Sequence, residues 1–274
     1  MRELFFKLFE MSHFDTGISI TAFSISHIVY IILITGSIVG LYMSQRRATI
    51  ERKKKILDLL IILLTVSYIS DFFVHEFVYA ETVDGVIVGG GLNMDKLPFH
   101  ICVVLCPLSA FVQFNSKFRK YIEPVAMLAV LAPMMYLAYP ANIGTGEPWC
   151  YQAVQTMFYH GTLMAWGILN LAFGIVIPDV RKCYQAATLL VGITLWAKLG
   201  NLLFEHNWFF LEEDAFYIGL VEKGIISKWL LMIVNPLVFF AAILALYGFC
   251  HLLHKLKKEN RVKIQDREKE KITL

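Results

Sequence analysis

Long apolar stretches, separated by short polar ones, are the dominant pattern of this chain. A helix needs about 20 mostly apolar residues to cross a bilayer, and seven stretches meet that requirement. None of them shows the strict alternation of a transmembrane β-strand. The pattern therefore predicts an all-α polytopic membrane protein, a bundle of seven transmembrane helices. The predicted spans are residues 18–43, 56–79, 97–114, 121–139, 150–177, 185–204 and 229–254.

Composition excludes the soluble alternatives. Hydrophobic residues make up 57% of the 274 residues and charged residues 17%, whereas an ordinary soluble domain is about 45–50% apolar and about 25% charged. A soluble enzyme, a disordered chain and a nucleic-acid-binding domain are therefore excluded, so no nucleic-acid partner is expected. The five cysteines form no zinc or haem pattern, and we expect neither a metal nor a cofactor.

Lys and Arg are distributed unequally between the two sides of the predicted bundle. Of the 25 Lys and Arg, 19 lie in four basic segments, and 5 lie in the four segments on the opposite side. Because Lys and Arg mark the cytoplasmic side of a membrane, we predict that the N-terminus is outside and the C-terminus is inside. The four basic segments are residues 44–55, 115–120, 178–184 and 255–274.

This topology divides the chain into three regions. Residues 1–17 are predicted to lie in the outer interface, residues 18–254 to form the transmembrane domain, and residues 255–274 to be a basic cytoplasmic tail. The predicted location is the plasma membrane, as a multi-pass protein. The basic isoelectric point fits the cytoplasmic membrane of a bacterium.

Ionisable side chains inside the predicted spans point to a functional site, because charge is expensive in hydrocarbon. In the second span, Tyr68, Asp71 and His75 are spaced by three and four residues and share one helix face. Asp71 and His75 can share a proton or a hydrogen bond. Other spans contribute Gln152, Thr156 and His160 in the fifth, Lys198 and Asn201 in the sixth, and Asn235 before Pro236 in the seventh.

Nearly all of these polar residues lie in the outer half of their spans. Their common depth predicts an outward-opening polar pocket between helices two, three, five and six, with Asp71 and Lys198 as its ion pair. Asp58 and Glu123 lie near the inner interface, where their carboxylates are predicted to extend toward the headgroups. The structural alternative is hydrogen bonding between helices, which we favour for His27.

The third span opens with Leu97-Pro98-Phe99-His100-Ile101-Cys102. A Leu-Pro-x-His-x-Cys opening on a middle helix, with a later histidine on the fifth helix, resembles the YwaF-like family of bacterial integral membrane proteins. The resemblance covers roughly residues 20–255. Animal relatives of that family are phospholipid acyltransferases, so the resemblance implies acyl transfer through a cysteine and two histidines.

Carried over by position, the resemblance assigns His100 as the motif histidine and His160 as the later one. Phe99 stands where the family's cysteine is expected, and Cys102 is the nearest substitute. Residues two positions apart on a helix are separated by about 200° around its axis, which predicts that His100 and Cys102 face nearly opposite ways. Asp71 and His75 are an alternative pair that could orient a base.

Three functions remain open from the sequence. The first is an acyltransferase that acts on a membrane lipid, with His100, His160, Cys102, Asp71 and His75 as candidate catalytic residues. The second is a small-molecule transporter, permease component or receptor without covalent chemistry. The third is a scaffold that uses the acidic, aromatic segment 205–222. The candidate substrate-binding residues are Tyr68, Gln152, Thr156, Lys198, Asn201 and Asn235.

Overall fold

The fold is given by a computed structural model of the chain. The structure describes residues 23–74, 80–83, 86–89, 94–138, 150–211 and 227–273. The predicted outer segment 1–17 and residues His75 and Tyr79 lie outside the described residues, so the proposed Asp71–His75 pair stays a prediction.

Each predicted span contains a helix. The seven long helices of the described chain are α1 Ile25–Gln45, α2 Ile50–Phe73, α3 Ile101–Phe114, α4 Ile122–Ala138, α5 Tyr151–Ala172, α6 Cys183–Phe204 and α7 Lys228–Thr273. The chain is therefore all-α in architecture, with one small addition. That addition is an antiparallel hairpin of β1 Ala80–Val83 and β2 Val86–Gly89, which the apolar pattern did not predict.

Five of the described helices are long and apolar enough to cross a membrane. They are α1, α2, α4 with the turn before it, α6 with the turn before it, and the Pro236–Leu256 part of α7. Helix α3 is apolar but shorter, and α5 falls outside the set. Helix α5 carries the polar side chains Gln152, Gln155, Thr156 and His160. It can lie in a membrane only if this polar face packs against neighbouring helices.

Helix α4 occupies the centre of the bundle. It packs against α3, α5, α6 and α7, and 72% of its apolar window is buried, against 11–28% in the other candidate spans. Its residues Val125–Ala132 are all buried, which is typical of a helix that is apolar around its whole circumference. Helix α5 approaches it closely at Gly167, where an added Cβ would lie 2.8 Å from the carbonyl oxygen of Ala126.

The ends of several helices differ from the predicted spans for local reasons. Residues Leu97–His100 are not part of α3, which begins at Ile101 with extended backbone at His100. Pro98 disfavours helical geometry at Leu97, the residue before it, and the extended backbone at His100 sets the start of α3. Helix α5 ends at Ala172 rather than 177, and Gly174 then takes a left-handed conformation with φ +71°, a common helix ending.

The carboxylates predicted to extend toward the inner headgroups instead form hydrogen bonds within the bundle, so that prediction is wrong. Asp58 accepts a bond of 2.6 Å from the Gln113 amide, and Gln113 in turn accepts one from the Trp166 indole. Glu123 is 8% exposed and accepts a bond from the backbone N–H of Asp179. The reason is that a carboxylate removed from water needs hydrogen-bond donors, and neighbouring elements supply them to both groups.

His27 has the structural role expected of it. The side chain is fully buried in α1, and its Nδ1 accepts a bond from the backbone N–H of Phe23. Its Nε2 then donates to the carbonyl oxygen of Leu137 on α4 at 2.6 Å. Nε2 thus joins α1 to α4, and Nδ1 holds the residue that precedes α1.

Candidate functional site

The candidate site lies at one end of the bundle, which we call the polar end. Helices α2, α4 and α6 finish there, while α3 and α5 begin there. Because α3 and α5 start where α2 and α4 stop, residues distant in sequence meet at this end. The polar faces of α2 and α5 meet there, as the following contacts show.

A buried ion pair joins α2 to the turn before α3. The Lys96 ammonium lies 2.8 Å from the Asp71 carboxylate, whose side chain is 1% exposed against 19% for Lys96. The sequence-based prediction paired Asp71 with Lys198, and the structure gives it Lys96 instead. The turn Met94–Lys96 carries this lysine to the end of α2, held there by a bond of 2.8 Å from the Tyr68 hydroxyl to the Lys96 carbonyl.

Helices α2 and α5 are joined beside this ion pair by further hydrogen bonds. The Gln155 amide donates to the carbonyl oxygen of Ser67 at 3.1 Å, and the hydroxyls of Ser70 and Tyr151 lie 3.2 Å apart. Gln155 and Ser67 are both buried. These bonds fix the first turns of α5, the helix that carries His160, against the last turns of α2.

His160 presents one ring nitrogen as a proton acceptor. Its Nδ1 lies 2.8 Å from the carbonyl oxygen of Thr156. Because a carbonyl can only accept, Nδ1 carries the proton and Nε2 of the neutral ring keeps its lone pair. The ring stacks on Tyr136 of α4 with centroids 3.9 Å apart.

His100 has the opposite hydrogen-bonding pattern. Its Nδ1 accepts a bond of 3.2 Å from the backbone N–H of Phe209, so the neutral ring carries its proton on Nε2. His100 precedes α3 and has extended backbone, with φ −72° and ψ 143°. The predicted 200° separation from Cys102 therefore does not apply, since it assumed helical geometry at both residues.

The two cysteines of α3 are buried among apolar and hydroxyl groups. Cys102 is 7% exposed and lies in the main hydrophobic core, and its carbonyl oxygen accepts a bond from the Tyr159 hydroxyl. The Cys106 thiol lies against the hydroxyls of Tyr159 and Thr65. All five cysteines are free thiols.

Phe99, at the position where the resemblance expects a cysteine, is the centre of an aromatic cluster. Its ring lies 4.6 Å from that of Trp208 and 5.2 Å from that of Trp196, measured between centroids. An added Cβ at Gly200 would come within 2.4 Å of the Phe99 ring. The absence of a side chain at Gly200 thus lets α6 approach the Leu97–His100 segment closely.

Asn201 binds the backbone of the turn that follows α6. Its side-chain oxygen accepts from the Trp208 N–H at 2.6 Å, and its amide donates to the Trp208 carbonyl at 3.1 Å. The other predicted binding residues differ in placement: Gln152 is half-buried, Thr156 is buried, and Lys198 is half-buried on α6. Asn235 lies on α7, but its side chain lies outside the described part.

Comparison with known families decides the affiliation of the chain. A family model described as the TMEM164 family matches residues 22–248. The chain belongs to the TMEM164 family. The match covers all seven helices as far as Gly248 and leaves out the remainder of α7. No curated protein and no solved structure matches the chain significantly.

Membership of the TMEM164 family shows that the chain is an integral membrane protein. It supports neither the YwaF-like affiliation nor an acyltransferase activity. The described candidate residues from Tyr68 to Asn235 fall within the matched region. Among the described residues, no group of three or more His, Cys, Asp or Glu side chains is arranged to hold a metal ion.

Sequence reasoning overlooked three residues of the polar end. Lys96 lies in the segment before the third predicted span, Tyr136 within the fourth, and Trp208 within the acidic, aromatic segment 205–222. The available signal was weak but present for Lys96, which is the single Lys or Arg in residues 80–96. Lys96 comes directly before the third predicted span, and Asp71 lies inside the second. Because an intramembrane charge usually pairs with an opposite one, Lys96 is a natural partner for Asp71.

Proposed function

We propose that this protein is a seven-span plasma-membrane protein whose polar end faces outward and transfers acyl groups between membrane lipids. The observation that carries the proposal is the complementary state of the two histidines. His160 offers an unprotonated Nε2, and His100 offers a protonated Nε2, at the same end of the bundle. A transfer reaction needs one group of each kind, a general base and a donor to the developing oxyanion.

The proposed reaction is a direct exchange of one ester for another. His160 Nε2 removes the proton of an acceptor lipid hydroxyl, whose oxygen attacks the ester carbonyl of the donor lipid. His100 Nε2–H donates a hydrogen bond to the oxyanion that forms. The old carbon–oxygen bond then breaks, and His160 returns its proton to the leaving oxygen, so that one ester and one hydroxyl are present before and after.

The residues at the expected cysteine positions favour direct attack by the acceptor hydroxyl over a route through a cysteine thioester. Phe99 occupies the expected cysteine position, and Cys102 is buried in the apolar core. Wild-type protein incubated with labelled lipid and then analysed by intact-protein mass spectrometry should carry no acyl adduct. A labelled adduct that disappears in Cys102→Ala would show the thioester route instead.

The principal experiment is a transfer assay with purified protein. Wild-type protein in liposomes receives a phospholipid with a labelled acyl chain and a lysophospholipid acceptor, and labelled product is measured by mass spectrometry. Because general base catalysis contributes about 10²–10⁴-fold, we expect His160→Gln to slow transfer at least about 100-fold. His251→Gln, on the exposed surface of α7, is the matched control. Equal rates in wild type and His160→Gln would refute the proposal.

A second candidate is ligand binding or transport without covalent chemistry. It is favoured by the oppositely charged pair of Lys96 and Asp71, because a zwitterionic ligand could exchange with both members of such a pair. Two measurements distinguish this candidate. Thermal stabilisation by a zwitterion without turnover would favour binding, and uptake of the labelled compound into proteoliposomes would identify transport.

A further inference from the structure

The turn Trp208–Phe210 contains a strained residue that contacts the proposed catalytic machinery. Phe209 has φ +60° and ψ 18°, a left-handed conformation that is strained for an ordinary L-residue. Its backbone N–H is the donor to His100 Nδ1. Strain of this kind persists only where the surroundings determine the conformation, and it concentrates at functional sites.

The surroundings that hold this turn come from three elements. Asn201 of α6 binds both the N–H and the carbonyl of Trp208. The Trp208 indole is fully buried, donates to the carbonyl oxygen of Met94 at 3.1 Å and packs on Phe99. The Phe209 ring packs on Phe239 of α7 with centroids 5.3 Å apart. The Trp208 carbonyl and the Phe209 N–H belong to the same planar peptide unit, so the bond from Asn201 to that carbonyl also directs the N–H at His100.

We propose that Asn201 and the Trp208–Phe210 turn form a positioning unit that holds His100 in its Nε2–H tautomer. Asn201 acts through the turn rather than by touching substrate, which changes the role predicted for it from the sequence. The inference rests on the proposed function, because the Nε2–H group of His100 is the proposed oxyanion donor. The hydrogen bond to Nδ1 selects the tautomer, as the bond made by one ring nitrogen generally does.

The tautomer can be measured without turnover. Protein labelled with ¹⁵N-histidine is reconstituted in bilayers and examined by solid-state NMR, with the His100 signal assigned by its loss in His100→Gln. Wild-type His100 should show an unprotonated Nδ1 and a protonated Nε2 at neutral pH. In Asn201→Ala we expect a several-fold rise in the Nδ1–H population. Asn170→Ala is the matched control, because Asn170 is also fully buried but donates within its own helix.

Two further variants keep the test decisive if Asn201→Ala is too unstable to measure. Asn201→Asp keeps the acceptor for the Trp208 N–H and loses the donor to its carbonyl, so it should shift the tautomer partially. Phe209→Gly keeps the N–H and adopts positive φ without cost but loses the packing on Phe239, so its tautomer shift should be smaller than that of Asn201→Ala. In the transfer assay, Asn201→Ala should lower kcat about tenfold to 100-fold with little change in KM.

The outcomes separate this inference from the proposed function. A wild-type His100 protonated on Nδ1, or an unchanged tautomer in folded Asn201→Ala and Asn201→Asp, would overturn the positioning role. Absence of lipid transfer together with the expected tautomer shift would refute the transfer reaction and leave the positioning unit intact.

Discussion

At the scale of single residues, the ion pair between Asp71 and Lys96 has two unequal members. The Asp71 side chain is 1% exposed, whereas Lys96 is 19% exposed and lies at the end of the bundle. Removing one partner of a buried pair is costly mainly through the charge that is left behind. The cost should therefore depend on which partner is removed.

We predict that Lys96→Ala destabilises the protein more than Asp71→Ala does. Loss of the ammonium removes the cation that lies 2.8 Å from a carboxylate deep in the bundle, with an expected cost of up to about 3 kcal/mol in the free energy of unfolding. Loss of the carboxylate leaves an ammonium that can turn toward water, so the cost should be smaller. Unfolding of both variants in mixed micelles measures the difference, and the reverse order would contradict the assigned burial. Asp71→Leu with Lys96→Met should be close to wild type.

The sequence could predict the charged members of the site but not their pairing. Asp71 and His160 stand out because they interrupt apolar helices. The partner of Asp71 is set by a short turn, Met94–Lys96, whose position depends on the Tyr68 hydroxyl and the Trp208 indole. Such long-range bonds leave no periodic trace in a sequence, so the choice of Lys96 over Lys198 could not be made from spacing.

At the scale of elements, the packing of α4 against α5 depends on Gly167. A Cβ there would meet the Ala126 carbonyl oxygen at 2.8 Å and the Val130 side chain at 2.9 Å. The first of these contacts is with backbone, which cannot rotate away. Small residues at such crossings are typical of membrane helices, where close approach of backbones provides the attraction.

We predict that Gly167→Ala destabilises the bundle by about 1–3 kcal/mol, the usual cost of overpacking. Gly192→Ala on α6 is the control, since nothing lies within 4 Å of its added Cβ. There the better helix propensity of alanine should stabilise slightly, by up to about 1 kcal/mol. Both free energies of unfolding come from the same denaturation series. A stable Gly167→Ala variant would mean that α4 and α5 are farther apart than described.

Helices were predictable from apolar length, and the hairpin was missed because it is too short for that pattern. Its strands have four residues each and pair from Val83 with Val86. The intervening Asp84-Gly85 is a sequence typical of two-residue hairpin turns, so a local signal existed. Windows of about 20 residues average over such an element.

At the scale of the whole molecule, the distribution of Lys and Arg favours a cytoplasmic location for the end opposite the polar end. The predicted topology places the connection between α3 and α4 inside and the start of α7 outside. Ser116 and Ser227 are exposed residues at these two positions, and they offer a matched pair for labelling.

We predict that Ser227→Cys reacts with a membrane-impermeant maleimide in intact cells, and that Ser116→Cys reacts only after permeabilisation. The native cysteines are buried or half-buried, and wild-type protein provides the background. The physical reason is the excess of Lys and Arg on the Ser116 side. The opposite labelling pattern would place the polar end in the cytoplasm.

The central claim is that His160 and His100 act together in lipid transfer, and a double variant tests it most directly. The transfer rate is measured for His160→Gln, His100→Gln and the two combined, in the same liposomes. Residues that act as one unit show strongly non-additive effects, so we predict that the double variant is no slower than the slower single variant. Losses that multiply in the double variant, or transfer that continues at the wild-type rate without both histidines, would contradict the claim.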